Sequence, residues 1–447
     1  MRNVNQKNST AKANKIQDMA ALWIEQIEKL LPANLDESAK TKGALIRKRG
    51  IKSSSDLLKV LLIYAVSTMS MRMLSLCASV LGIANISDTA WRKRFTGAEL
   101  WLAYILDFLL PKPLPQKDMP IMKRTVHLID GSNIAESGQN GKLYRIHMSY
   151  NLNLSSMDDI KVTDNHTAES FKHCHIQKND IYIADSGYGK VKLYDYIISR
   201  GADAVLRFTP HHVILLDSNG HRIDMTKKLD KNQQIIDFKC YAQYEKKQVP
   251  VRIVASQLPE DKKADVIKRK KRKASKNQTQ KPMAETLVYA EWVIIMTSLD
   301  EAYSAKEILT IYKSRWQIEL LFKRIKQHFS VTKIRPSSLK YGKALILLWL
   351  IIWALVEKQA YQAERYMIEK EMDMSRFYPW ALTSFFFVRV KMIIESLWAT
   401  LLDLEDDISI IAAKLQNHKQ DRLNQYFYFH FCCFWEKTGN QSEKQVA

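Results

Sequence analysis

The sequence of 447 residues predicts an α/β core that carries a β-rich insertion and is flanked by helical domains at both ends. Three observations lead there. Apolar periodicity is helical up to about residue 115 and again from Ser304 onward, while short β-type runs alternate with helical ones between Thr125 and Phe208. Residues 209–297 then hold four more β-type runs around a very basic stretch. A chain of this length exceeds the usual ~100–200 residues of one domain, so the expected units are 1–115, a core of 116–208 with 298–343, the insertion 209–297, and 344–447.

In the first unit, apolar-periodic stretches run from Leu57 to Val66 and from Met71 to Leu81, where Gly82 breaks the pattern. Ser87 can cap a third helix that carries Trp91, Arg92, Lys93 and Arg94. The order of helix, turn and basic helix suits a helix-turn-helix unit with Arg92, Lys93 and Arg94 near DNA, and equally a small bundle with a solvated basic face. Pro111, Pro113, Pro115 and Pro120 mark a linker.

The core reads as strands TVHLID, YRIHMSYNLNL and IKVTDNH, a helix from Ala168, a strand IYIAD, a helix Val191 to Arg200 and a strand AVLRF. The insertion contributes HHVILL, QQIIDFKCYAQY, VPVRIVA and EWVIIMT, with a basic loop at 262–281 suited to backbone phosphates.

Lys plus Arg number 68 against 47 Asp plus Glu, a net charge of +21 that favours a polyanionic partner. Nucleic acid is the first expectation and an anionic membrane the second. The longest uncharged apolar run, Ala344 to Val356, is short of the ~20 residues of a span and reads as a buried helix. The polar start, MRNVNQKNSTAKANK, lacks the apolar core of a signal peptide, so a cytoplasmic protein is expected, with no membrane partner. Cys77, Cys174, Cys240, Cys432 and Cys433 form neither a disulfide framework nor a zinc pattern.

The chemistry concentrates in IYKSRWQIELLFKRIKQ, residues 311–327. Read as one helix at about 100° per residue, Tyr312, Arg315, Glu319 and Lys326 share a narrow arc, opposite Ile318, Leu321, Phe322 and Ile325. Alone, this is an ordinary exposed face with spaced ion pairs. Two aspartates change its weight: Asp130 ends TVHLI and Asp185 ends IYIA, at the carboxyl ends of apolar strands where open α/β sheets hold ligands, although each also begins a good turn sequence. Two strand-end carboxylates and one helical carboxylate suit a hard divalent cation that keeps water and phosphate as further ligands. Asp164 and Glu169 are further carboxylates, expected near the site in supporting roles.

The spacing Tyr312-x2-Arg315-x3-Glu319-x6-Lys326 resembles the YREK signature of insertion-sequence transposases of the IS-four type. Asp130 in HLIDGSNI and Asp185 in IADSGYG are similar to the first two residues of that family's DDE triad, though Ser186 stands where an Arg often follows the second aspartate. The resemblance implies a ribonuclease-H-like core with a β-rich insertion. It also implies catalysis by Asp130, Asp185 and Glu319 with two Mg²⁺ or Mn²⁺ ions, and cleavage and joining of double-stranded DNA at element ends and target. It further implies DNA contacts from Tyr312, Arg315, Lys326 and Arg207, a base-stacking role for Trp292, and a homodimer on paired ends with subunit contacts in the carboxyl-terminal region. The competing expectations are a non-mobile nuclease of the same class and a DNA-binding relic without catalysis.

Overall fold

A computed structural model describes residues 23, 26–67, 69–110, 124–135, 142–154, 156–276, 284–329, 338–371 and 379–396. The linker prolines and residues 397–447, with Cys432 and Cys433, lie outside the described residues. The chain divides into two compact units, the first of Met1–Lys29, Asn34–Phe95 and Lys391–Ala447, the second of Leu30–Ala33 and Thr96–Val390.

The first unit contains α1 (Leu35–Thr41), α2 (Ser54–Val66), α3 (Met71–Val80) and most of α4 (Asp88–Gly97). Ser53 and Ser70 cap α2 and α3 by accepting from Asp56 N and Met73 N. Gly82, at φ +65°, ends α3 in the left-handed conformation that glycine adopts without steric cost. Ser87 accepts from Ala90 N to start α4, and Trp91 and Phe95 bury its apolar side. The expected order of helix, turn and basic helix is therefore present.

In the second unit, α5 (Glu99–Leu109) packs against the long α11 (Leu339–Glu369) and so lies with the core rather than with the amino-terminal helices. One nine-stranded sheet dominates, in the order β3-β2-β1-β4-β5-β9-β8-β7-β6. Its strands are β1 (Val126–Ala135), β2 (Lys142–Asn151), β3 (Ser156–Asp164), β4 (Ile181–Ala184), β5 (Asp203–Arg207), β6 (Ile214–Leu216), β7 (Ile235–Tyr244), β8 (Lys247–Gln257) and β9 (Trp292–Thr297). The first three form an antiparallel meander, β4 and β5, joined through α6 (Val191–Ile198), add parallel to β1, and β9 returns antiparallel between β5 and β8. The inserted strands thereby extend the same sheet. The hydrophobic core runs without a break from Ile129 and Tyr182 through Leu206 and Trp292 to Val249 and Ile253.

Two expected elements differ. The helix expected from Ala168 is one 3-10 turn, Phe171–His173, held by Ser170 Oγ accepting from Lys172 N. The basic loop is instead mostly helix α7 (Glu260–Lys276), because its Lys, Arg and Ala are good helix formers and no Gly or Pro interrupts them. The chain continues through α8 (Ala284–Ala290) into β9. The apolar run Ala344 to Val356 is the middle of α11, which packs on β3 and α5. By length and composition α11 could cross a membrane, but its apolar window is 78% buried within the protein.

Candidate active site

Strands β1 and β4 are parallel, with Ile129 opposite Ala184. The next residue on each is an aspartate, so Asp130 and Asp185 start side by side, at the interstrand spacing of about 4.8 Å, where the β1–β4 pairing stops. Asp185 follows β4 as expected and opens a turn, its carboxylate accepting from Gly187 N at 2.9 Å. Asp130 does not end its strand. Strand β1 continues to Ala135 because β2 pairs with it throughout, Asp130 opposite Met148, so Asp130-Gly131-Ser132-Asn133 is strand and not turn.

Glu319 arrives on a helix that is not the single rod read from the sequence. A capping box at Ser304 and Glu307 starts α9 (Ala305–Lys313), and α10 (Trp316–His328) follows after a break. Ser314 Oγ donates to Ile311 O at 2.6 Å, and Ser314 N and Arg315 N bond back to Ile311 O and Tyr312 O, tightening the junction to a three-residue turn. Arg315, Glu319 and Lys326 keep their common face. Tyr312 belongs to α9 and is 7% exposed.

The break does not disperse the signature residues. Arg315 Nη1 donates to Glu319 Oε1 at 2.5 Å, and its guanidinium lies 5.7 Å from the centre of the Tyr312 ring. Burial raises the Tyr312 hydroxyl pKa, while the charges of Arg315 and of Arg207, the last residue of β5, act against that rise. Lys326 Nζ donates to Ser132 Oγ at 2.7 Å and to Asn133 O at 3.0 Å, which ties α10 to β1 just beyond Asp130. Behind the pair, Gly189 is needed for close approach, since a methyl there would collide with Arg207 O.

Burial pushes the Asp130 carboxyl up to about 7, with the Asp185 and Glu319 charges pushing the same way and the Gly131 amide and Arg315 pulling back. Among the described residues, no three His, Cys, Asp or Glu side chains close on one point as they stand. Glu319 is paired with Arg315 instead. The donor chemistry nonetheless fits a hard divalent cation: only oxygens, all on carboxylates, and a charge excess that already disfavours ionisation of Asp130.

Other expected residues are placed differently. Trp292 is 1% exposed and lies within the core, so it is not a platform for a base in this structure; burial of its large apolar ring in the sheet interior is its evident contribution. Arg92 and Lys93 are exposed, but Arg94 turns inward to donate to Ala44 O and Arg47 O, leaving α4 a smaller basic face than expected. Asp164 is structural, its Oδ1 accepting from His166 N, Thr167 N and Thr167 Oγ1. Trp316, next to Arg315, was not singled out by sequence, although it falls on the same helical face; it is 57% exposed.

A carboxylate-lined edge of an α/β sheet, with cations gathered beside it, has the donor and charge pattern that metal-dependent phosphoryl transfer uses. The family model described as a transposase DDE domain matches residues 122–355. The InsL protein for insertion sequence element IS186A of Escherichia coli K12, named as a transposase, is 30% identical over 335 residues, covering 73% of this chain and 90% of that protein. The transposase for insertion sequence element IS421 of Escherichia coli is 30% identical over 336 residues, with the same coverage of both chains. The chain belongs to the DDE transposase family, enzymes that cut and transfer DNA, and that family uses divalent metal ions.

Proposed function

We propose that Asp130, Asp185 and Glu319 form the catalytic triad and hold two Mg²⁺ or Mn²⁺ ions for cleavage and strand transfer at the ends of an insertion sequence. The observation that carries this reading is the register of β1 and β4, which starts two aspartates side by side, together with the Lys326–Ser132 link that ties the Glu319 helix to the same strand. The β3-β2-β1-β4-β5 order, an antiparallel meander followed by two parallel strands, supports a ribonuclease-H-like core.

When bound, the ions supply Lewis-acid activation of the attacking oxygen and neutralise charge on the scissile phosphate. The chain's own groups do the positioning. Arg315 and Lys326 neutralise adjoining phosphates, Tyr312 offers a hydroxyl beside the Arg315 guanidinium, and Arg207 adds charge from β5. Trp316, rather than the buried Trp292, offers an exposed aromatic face to a base. The exposed Arg92 and Lys93 on α4 and the basic helix α7 support contacts with flanking duplex.

Water is the first nucleophile and the freed 3′-hydroxyl the second, so no covalent enzyme intermediate arises. We take two copies to act on paired ends in the cytoplasm; the exposed Phe385 and Val388 on α12 (Pro379–Ser396) support subunit contacts there. End cleavage of the element's own flanking DNA in Mg²⁺ or Mn²⁺ tests the proposal. Asp130→Asn, Asp185→Asn and Glu319→Gln should each abolish nicking, and full activity in any of them would overturn it.

A further inference from the structure

The connection between β3 and β4 brings one more carboxylate to the aspartate pair. Asp164 shapes its first turn, and Arg145 on β2 fastens it by donating from Nη1 to Thr167 O at 2.8 Å and from Nε to Asn133 Oδ1 at 3.1 Å. Glu169, two residues on, then reaches back toward β1 and β4. A methyl built on Gly131, the residue after Asp130, would lie 3.2 Å from Glu169 Cγ and 3.3 Å from its Oε1. A methyl built on Gly187, two residues after Asp185, would collide with Glu169 Oε2 and stand 3.1 Å from Asp185 Oδ1.

One side chain thus fills the space beside both glycines that follow the aspartates. An oxygen of Glu169 and an oxygen of Asp185 both border the methyl position of Gly187. The Tyr188 hydroxyl, three residues after Asp185, is buried without a hydrogen-bond partner among the described residues. Two carboxylates on one side of Gly187 offer a divalent cation beside Asp185 a further oxygen from Glu169.

We propose that Glu169 supplies a fourth carboxylate ligand to the divalent ion held by Asp130 and Asp185, an inference that rests on the metal site proposed above. Glycine at 131 and 187 is then the condition for that ligand to reach the ion. A loop-fastening carboxylate would use the same space but would not respond to metal.

The full-length protein is titrated with Mn²⁺ in the absence of DNA, following free Mn²⁺ by electron paramagnetic resonance, with the metal-free thermal midpoint recorded alongside. Glu169→Gln should lower Mn²⁺ affinity at least ~10-fold while leaving the metal-free midpoint unchanged or higher. Gly187→Ala, which displaces the Glu169 carboxylate, should lower affinity in the same direction. Unchanged Mn²⁺ affinity in Glu169→Gln, or loss of its fold without metal, overturns the proposal in favour of a structural role. Asp130→Asn separates the two levels: if it too binds Mn²⁺ like wild type, the metal site itself fails; if it loses Mn²⁺ and Glu169→Gln does not, only the fourth ligand fails.

Discussion

Arg315 Nη1 lies 2.5 Å from Glu319 Oε1, joining the N-cap of α10 to its first turn. The carboxylate assigned to metal binding therefore has a built-in counter-ion four residues before it, partly shielded from water, with side-chain exposures of 16% and 34%. Any cation at the site competes with that guanidinium for the same oxygen.

Arg315→Gln should accordingly separate metal binding from catalysis. Removing the competing cation should tighten Mn²⁺ binding to the DNA-free protein several-fold, while loss of a phosphate-neutralising group slows end cleavage by about 10²-fold. Calorimetric titration and a cleavage time course measure the two effects. Weaker Mn²⁺ binding in the variant would refute the competition.

Lys326 is tied to Ser132 Oγ and Asn133 O, so it works as a clamp between α10 and β1 before any DNA is present. Lys326→Met should cost about 1.5–3 kcal/mol, the usual contribution of hydrogen bonds to a charged group. Cleavage should fall as well, because Glu319 lies two turns earlier on the loosened helix. Ser132→Ala should show a smaller loss of the same kind. Denaturant midpoints identical to wild type in both variants would remove the clamp from the account.

His127 on β1 stands between Asp158 (2.8 Å) and Asp180 (2.9 Å) and stacks on Tyr182 with 4.7 Å between ring centres. Burial works against its charge, but the two aspartates raise its pKa to about 9. A folded-state value above the unfolded 6.5 stabilises the protein fully below that pH, and the contribution is lost as pH rises through about 9. Asp130 and Glu357, each raised to about 7, have largely ionised by pH 8, so a fall in thermal midpoint between pH 8 and 10 belongs to His127 among these groups. His127→Gln should be less stable than wild type at pH 7 and should flatten that fall. A wild-type midpoint that stays level from pH 8 to 10 would count against the buried ion cluster.

Much of the site was legible because its chemistry is local. Arg315, Glu319 and Lys326 share a face through helical spacing alone, and Asp185 follows an apolar run short enough to be a strand. Two features escaped for one reason: they depend on partners distant in sequence. Asp130 looked like the last residue of its strand until β2, unseen from β1's own sequence, carried the strand past it. Trp292 looked like a stacking platform until β8 and the core closed over it.

The sequence by itself determined the class of chemistry and the family. Residue types and spacings along single elements carry those, and they survive even a helix that breaks at Ser314. Only the tertiary structure decided how the carboxylates are placed. Strand register sets Asp130 beside Asp185, the Lys326 clamp sets the Glu319 helix on β1, and two absent side chains, at Gly131 and Gly187, leave the space that Glu169 fills. Register, clamps and empty volume are relations between segments far apart in the chain, and no local pattern encodes them.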